Sequence, residues 1–384
     1  MIEEEYIRLI FGLKLKQIRT EKNLSLFGLA KITGLSKSYL NEIEKGKKYP
    51  KRDKIVLLSE ALETTYDQLV SLKLDKNLAP IGEILQSRIL KEIPLDVFGI
   101  KESDLIDIIA EAPVKVNAFI STLFEIAKHY NLTRESFFLA ALRSYQEANN
   151  NYFEEIELQV EKFAKAYSLD LNKRLNSKDF EEILVEEYGY TIDNDELTQH
   201  KELNNLRSVF VPNSKTLLVS SETDDSQRMF IYAKEIAYNF LNITDRLFTF
   251  SWIKFDSFDQ VLNNFIASYF AGALLIPRKS LVASLKTFFD KNTFSTNDFQ
   301  MLMDGFTDSP ETFYQRLTNV LPKDFNLKNL FFLRFSYKPE RGDFQLTKEL
   351  HITNLLEPHA NERNEHYCRG WRSLRTIRDG TDTT

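Results

Sequence analysis

The sequence contains few of the residues that form disulfides, metal sites or membrane spans. A single cysteine, Cys368, among 384 residues excludes an internal disulfide. Histidine occurs five times, and residues 201–350 contain neither histidine nor cysteine. The longest apolar run, residues 265–276, falls short of the roughly 20 residues that cross a membrane. The acidic start, MIEEEYIRLI, lacks the apolar core of a signal peptide. We therefore expect a cytoplasmic protein with no membrane segment.

The chain does have ample material for packed cores. Hydrophobic residues make up 43% of the sequence, and phenylalanine alone contributes 30 residues. This composition excludes an intrinsically disordered protein. The length of 384 residues corresponds to about two or three domains. The net charge of −6 is unevenly distributed, because residues 1–75 carry 14 Lys and Arg against 11 Asp and Glu, a net +3 that leaves −9 for the remainder.

The most specific local pattern in the first hundred residues is LSLFGLAKITGLSKSYLNEIEKG, which begins at Leu24. Ser25 and Ser36 stand where helix N-caps are expected, because a hydroxyl there accepts from the first free backbone N–H groups. Gly34 lies between them, where the chain must turn with a positive φ. The pattern predicts two short helices joined by a tight turn, which is a helix-turn-helix.

Apolar residues at helical spacing continue on both sides of this motif: Leu13, Ile18, Ile55, Leu58, Leu62 and Leu69. They predict five short helices over residues 8–73. The stretch from Leu13 to Leu69 closely resembles the Xre/Cro-type DNA-binding domain. That family usually has Gln where this chain has Leu26, a departure at a phosphate-contacting position.

The resemblance implies that the second helix of the motif lies in the major groove of a double-stranded DNA operator. Base edges would be faced by Lys37, Ser38 and Glu42. Phosphates would be contacted by Ser36, Tyr39, Lys45, Lys47 and Lys48. The charge agrees, since residues 45–54 hold six basic side chains and one acid, as a segment that neutralises phosphates requires. The alternative is a solvated basic loop on another kind of helical bundle.

Residues 83–175 are predicted to be a helical connecting region. They follow the segment 76–82, KNLAPIG, whose Asn, Pro and Gly are typical of a domain boundary. Beyond it, apolar residues recur at spacings of three and four, as in amphipathic helices. Residues 134–166 are predicted to include one long helix that joins the DNA-binding domain to the rest of the chain.

Residues 176–290 combine two strand-like runs, 207–211 and 216–220, with two helices. The Pro-Asn-Ser turn between the runs predicts an antiparallel hairpin. The first helix begins near Ser226, and the second ends in an apolar phrase followed by proline. This order of elements resembles the ImmA/IrrE-type metallopeptidase domain.

In that family the first helix carries H-E-x-x-H, whose imidazoles hold zinc while the glutamate activates a water molecule. The aligned positions here are Lys234, Glu235 and Tyr238, so only the glutamate remains. An ammonium and a phenol do not replace zinc-binding imidazoles at neutral pH. The family's third, acidic ligand aligns with Ile266. We therefore expect a degenerate domain with no metal, no cofactor and no catalytic residue, and hence no enzymatic activity.

Lys234 and Tyr238 are instead the predicted ligand-contacting residues of the vestigial cleft. A buried Lys234 would be costly unless an anionic group paired with it. The alternative is that Lys234 and Glu235 lie on a solvated helix face. Aromatic residues are dense over 230–270 and form either an acyl pocket or an ordinary core.

Residues 291–384 form the predicted C-terminal regulator domain. Ser309 and Pro310 mark the start of a helix, and the apolar run 330–335 predicts a strand. Four zinc-type ligands occur near the end of the chain: His351, His359, His366 and Cys368. Their spacing fits no zinc motif, so turn and strand positions are the favoured interpretation.

Together, these features strongly resemble the short-chain fatty acyl transcriptional regulators, which implies an acyl-type small-molecule effector. In that family a further stretch follows the phrase EHYCRGW. We therefore expect a shortened chain in which residues after about 376 are disordered and the edge of the 330–335 strand is exposed.

The predicted fold is mainly α with a small α+β part, comprising a five-helix DNA-binding domain, a helical middle region, a degenerate zincin-like α+β domain and a C-terminal α+β extension. The predicted function is that of a homodimeric, sequence-specific transcriptional regulator, whose recognition helices lie about one DNA turn apart. The alternatives are an ImmA/IrrE-type metallopeptidase, which the loss of the histidine pair disfavours, and a toxin–antitoxin-like interaction protein.

Overall fold

The computed structural model of the chain describes residues 2–73, 134–200, 206–248, 257–291, 293–338 and 343–352, with the single residues 99, 108 and 203 between them. The chain divides into two compact units, Met1–Phe137 and Phe138–Thr384. The described residues are mainly helical with two small sheets, which confirms the prediction of a mainly α fold with a small β component. The predictions for residues 83–133 and for the chain after Ile352, including His359, His366 and Cys368, lie outside the described residues.

The first unit contains five described helices: α1 (Ile2–Glu21), α2 (Leu26–Thr33), α3 (Lys37–Glu44), α4 (Arg52–Ala61) and α5 (Tyr66–Val70). The predicted helices are therefore present, but α1 is not short, since it has 20 residues and begins at Ile2, before residue 8. The core of the first unit is almost entirely aliphatic and includes Leu15, Leu29 and Leu58 from three different helices. Burial of one helix face against the others holds the unit together.

Hydrogen bonds at the helix ends confirm the helix-turn-helix. The Ser25 hydroxyl accepts from the Gly28 N–H at 2.9 Å, and the Ser36 hydroxyl accepts from the Tyr39 N–H at 3.1 Å. Gly34 ends α2 with φ +68° in the left-handed region. The caps satisfy backbone donors that have no partner inside the helix. The turn between α2 and α3 is therefore set by these local residues.

Helix α6 (Arg134–Ala148) includes the boundary between the two units, and α7 (Glu154–Ala166) follows it in the second unit. The prediction of one long helix over residues 134–166 is wrong, because the chain turns between these two helices. Asn150 and Asn151 have φ values of +50° and +51°, and asparagine is among the few non-glycine residues that tolerate this conformation. Asn151 is also fixed from a distance, since its side-chain amide donates to the Thr318 hydroxyl at 2.8 Å.

A three-stranded sheet follows, preceded by α8 (Ser177–Glu182) and its π-helical continuation Ile183–Glu187. The strands are β1 (Thr191–Asp193), β2 (Ser208–Val211) and β3 (Thr216–Val219), with the short helix α9 (Glu196–Gln199) between β1 and β2. β2 and β3 form the predicted antiparallel hairpin. β1 adds to β3 in parallel, so the spatial order is β1-β3-β2. A strand of three residues carries too little periodicity to be predicted.

The remaining helices are α10 (Asp225–Phe240), α11 (Phe258–Leu275), α12 (Arg278–Phe289), α13 (Thr296–Asp304) and α14 (Pro310–Asp324). Ser309 caps α14 as predicted, because its hydroxyl accepts from the Thr312 N–H at 3.3 Å. Within the part of the chain described here, no single helix is both long and apolar enough to cross a membrane, and α11 with α12 meets that criterion only as a pair bent by 60°.

The last two strands, β4 (Leu330–Lys338) and β5 (Asp343–Ile352), form an antiparallel pair. The strand predicted at residues 330–335 is confirmed. One edge of β4 is covered, because β5 pairs with β4 along the whole length of β4.

Candidate functional site

Helix α3 has one apolar face and one polar face. Leu40 and Ile43 are completely buried in the core of the first unit. The opposite side, at 3.6 residues per turn, carries the exposed or half-exposed residues Lys37, Ser38, Asn41 and Glu42. The structure therefore brings together the three residues predicted to face base edges and turns them away from the core.

Asn41 belongs to this polar face, although the sequence prediction omitted it. It lies four residues after Lys37, a spacing that places two helical residues on one face. Its side chain is exposed. Asparagine is suited to reading DNA because its amide forms a bidentate pair with adenine. The helical spacing from Lys37 is the signal that could have identified it.

The predicted phosphate-contacting residues lie at the two ends of α3. Ser36 is its N-cap, and Tyr39 is half-buried in the first turn. Lys45 is half-buried at the other end, followed by the exposed Lys47 and Lys48. These three lysines lie on the segment that leaves α3.

Lys48 and Glu42 bind each other in the structure. The Lys48 Nζ lies 2.8 Å from the Glu42 Oε2, and this hydrogen bond raises the pKa of Lys48. Lys48 also lies 6.0 Å from the centre of the Tyr39 ring. Because the pair is exposed to solvent, it is screened and weak. The two side chains can therefore separate at little cost in free energy.

A charged pair fixes α3 against α1. The Arg19 Nε and Nη2 donate to the two Glu44 carboxylate oxygens at 2.6 and 3.0 Å, and the Arg19 Nη1 donates to the Leu24 carbonyl at 2.6 Å. Gly12 permits the close crossing, since a Cβ there would lie 2.2 Å from the Ile43 carbonyl oxygen. These contacts hold the recognition helix in place.

The second unit contains a small cleft, with room for about one water molecule. Its lining residues come from β2, α10 and the segment after α10: Ser208, Ile231, Lys234, Glu235, Tyr238, Leu247 and Phe248. Both predicted ligand-contacting residues are therefore in it. The alternative of a solvated face is wrong, because Lys234 and Glu235 are each only 7% exposed.

Asn264 of α11 joins the two predicted residues. Its Oδ1 accepts from the Lys234 Nζ at 2.6 Å and from the Tyr238 hydroxyl at 3.3 Å. On α11 it is thus Asn264, and not Ile266, that faces Lys234 and Tyr238. Ile266 packs instead against the hydrophobic core. A spacing of two residues on a helix decides which side chain faces α10.

Glu235 is the centre of a second buried group. Arg246 Nη2 lies 2.6 Å from both carboxylate oxygens, and the Tyr190 hydroxyl donates to Oε2 at 3.0 Å. Burial opposes the charge of Arg246, but the attraction of Glu235 outweighs it and raises the Arg246 pKa. Burial also raises the pKa of Tyr190 to about 12, and it lowers the pKa of Lys234 to about 8.

The aromatic residues over 230–270 are mainly core. Those packed in the core of the second unit are Phe230, Tyr232, Tyr238, Phe240, Phe265, Tyr269 and Phe270. Among the aromatic residues of this range that the structure describes, Phe248 is the exposed one, at 47% beside the cleft. Across the described part of the chain, no three His, Cys, Asp or Glu side chains are grouped to hold a metal ion. His351 lies on β5.

Comparison with known proteins supports the helix-turn-helix in the first unit. A family model described as helix-turn-helix matches residues 15–69. No curated protein matches the chain. Six chains of known structure match. One is a Mycobacterium tuberculosis transcriptional regulator, at 18% identity and a TM-score of 0.39, over 56% of this chain and 60% of that one. The match spans less than two thirds of that regulator, and a likeness this weak carries no argument about function. Residues 15–69 form a helix-turn-helix domain.

Proposed function

We propose that this protein is a sequence-specific, DNA-binding transcriptional regulator without enzymatic activity. The observation that carries the proposal is the polar face of α3 within a helix-turn-helix domain. Lys37 offers a donor for guanine, Asn41 an amide for adenine, and Glu42 an acceptor for the cytosine amino group. The basic residues after α3 supply the contacts to phosphate that fix its register.

We further propose that it binds its operator as a homodimer. A recognition helix of eight residues contacts few base pairs, so one copy provides limited specificity. Two copies related by a twofold axis read two half-sites about one DNA turn apart. The second unit would hold the two copies and set the spacing of their recognition helices.

Binding of genomic fragments to the purified full chain, followed by sequencing, identifies the operator and tests both proposals. Lys37→Glu should abolish the operator shift, because a carboxylate replaces a donor that faces the base edges. Lys48→Ala should weaken binding to all DNA sequences alike. It should also reduce the slope of log affinity against log salt concentration by about one unit. Lys22→Ala is the matched control, because Lys22 pairs with Glu63 and belongs to neither α3 nor the basic segment. Normal operator binding by Lys37→Glu protein would refute the proposal.

For the second unit, we propose a degenerate ImmA/IrrE-type domain that senses an acyl-type metabolite. The order of strands and helices and the convergence of residues 234, 238 and 264 support the degenerate fold. The effector class comes from the resemblance to short-chain fatty acyl regulators. Lys234 and Tyr238 are the cleft residues that would contact its polar head.

Thermal stability in the presence of short-chain acyl thioesters tests the sensing proposal. Concentration-dependent stabilisation that Lys234→Met reduces would support it. No shift at millimolar concentration would favour the interaction-protein alternative. Stoichiometric zinc in the purified protein, with a lower melting temperature after chelation, would instead favour the peptidase alternative.

A further inference from the structure

The surroundings of Glu235 have the chemistry of a guanidinium site. Its carboxylate accepts from Tyr190 and pairs with the Arg246 guanidinium. The Arg246 Cζ lies 3.9 Å from the centre of the Tyr238 ring and 4.5 Å from that of Phe210. A planar guanidinium binds carboxylates with its donors and stacks on aromatic faces, which an ammonium cannot do equally well. We call Glu235, Tyr190, Phe210 and Tyr238 the Glu235 cage.

The occupant of this cage comes from the segment that follows α10, residues 241–248. The segment is attached at both ends: the Ile243 N–H donates to the Tyr238 carbonyl, and the Phe248 carbonyl accepts from the Phe210 N–H, each at 2.8 Å. Leu247 and Phe248 line the cleft. The segment therefore covers the cage while Arg246 enters it.

The fit of Arg246 is incomplete. Its side chain is about nine-tenths buried, yet its Nε has no hydrogen-bond acceptor among the described residues. A buried donor without an acceptor is unfavourable. A guanidinium compound that is not attached to the segment could rotate in the cage and place its donors differently.

We propose that the Glu235 cage is a binding site for guanidinium compounds, and that Arg246 acts as an internal plug that occupies it. An attached ligand has an effective concentration of millimolar or more. An external guanidinium compound therefore binds only when residues 241–248 are displaced or Arg246 is removed. The proposal goes beyond operator binding, because it adds a cation site at Glu235 to the anion-contacting Lys234 proposed for the acyl effector in the same cleft.

Removal of the plug in the full chain tests the proposal. Arg246→Ala should lower the melting temperature of the second unit by several degrees, since Glu235 loses its counter-ion. Ethylguanidinium at about 10 mM should then raise the melting temperature of this variant by a few degrees. Ethylammonium has the same charge without the planar fork, so it should raise it much less. The unsubstituted protein should respond to neither compound.

Two further variants separate the cage from general effects. Glu235→Gln combined with Arg246→Ala should lose the response to ethylguanidinium, because the carboxylate is gone. Arg174→Ala removes an exposed arginine paired with Asp308. The melting temperature of this variant should not rise with ethylguanidinium. Should Arg246→Ala alone fail to fold, ethylguanidinium but not ethylammonium in the refolding buffer should restore soluble protein.

An equal response to the two cations, or no response with a lowered melting temperature, would show that Arg246 is purely structural and would overturn the proposal. An unchanged melting temperature in Arg246→Ala would overturn it as well. These outcomes do not depend on operator binding, so they are distinct from a failure of the proposed function.

Discussion

The two units differ in the distance along the chain between the residues that hold them together. In the first unit, Arg19 and Glu44 are separated by 25 residues. In the second, Glu157 pairs with Arg316 across 159 residues, at 2.6 and 2.9 Å. The cores differ too, since the first is almost entirely aliphatic and the second contains many stacked and edge-on aromatic pairs.

The Glu157–Arg316 pair belongs to a buried hydrogen-bond network that joins distant parts of the chain. Arg316 also donates from Nε to the Ile276 carbonyl at 2.9 Å, and the Tyr269 hydroxyl donates to Glu157 at 2.9 Å. The network thus links α7, α11 and α14. A buried charge is tolerated when its partner and hydrogen bonds are complete. The second unit therefore depends on buried charges, whereas the first depends mainly on helix caps and apolar packing.

The largest expected effect comes from Arg316→Met, which leaves the Glu157 carboxylate buried without its counter-ion. The free energy of unfolding of the second unit should fall by about 3–5 kcal/mol, measured by urea denaturation. Arg19→Met is the matched change in the first unit and should cost less, because the Arg19 side chain is 13% exposed against 1% for Arg316. Equal losses would remove the contrast between the units.

The next largest effect depends on pH. Burial lowers the pKa of Lys234 to about 8, whereas in the unfolded chain a lysine keeps its proton up to about 10.4. The unfolded state therefore binds more protons between these values, so the stability of the second unit should rise with pH from about 8 to 10. The gain should be at most about 3 kcal/mol.

Urea denaturation of the second unit at several pH values measures this effect. Tyr238 stays neutral over the window, because burial raises its pKa. Lys234→Met should reduce the rise to the part contributed by Lys348 of β5, whose pKa burial also lowers to about 8. Lys279→Met should keep the whole rise, since Lys279 is 81% exposed beside Glu161. A rise of equal size in Lys234→Met protein would contradict the assignment.

Replacing a helical glycine by alanine should change the stability of the two units in opposite directions. Gly12→Ala should destabilise the first unit by about 1–3 kcal/mol, because its Cβ would lie 2.2 Å from the Ile43 carbonyl oxygen. Gly272→Ala in α11 meets nothing within 4 Å and should stabilise the second unit by about 0.5–1 kcal/mol. Calorimetry of each variant measures both shifts, and stabilisation by Gly12→Ala would show that α1 does not cross α3 this closely.

The smallest effect should be the same in both units. Ser36→Ala and Ser309→Ala each remove a hydroxyl that accepts from a backbone N–H at a helix start. Each substitution should lower the free energy of unfolding by about 1 kcal/mol. Ser→Asn at the same positions should keep most of that stability. Because a cap acts within one helical turn, a large difference between the two losses in urea denaturation would mean that one cap is tied to tertiary packing.

The sequence by itself determined the features that depend on neighbours in the chain. These include the helix-turn-helix, the caps at Ser25, Ser36 and Ser309, the left-handed Gly34, and the hairpin of β2 and β3. It also excluded the histidine pair of the peptidase motif. Each rests on hydrogen bonds or spacings within a few residues, so residue type and order suffice to predict it.

Only the tertiary structure decided the features that depend on distant residues. The chain turns at Asn150 and Asn151 because α14 supplies Thr318 as a partner. Asn264, not Ile266, faces Lys234, and Arg246 enters the site of Glu235. The physical reason is that a buried polar side chain must find its partner in space, and residues far apart in sequence become neighbours only when the core has formed.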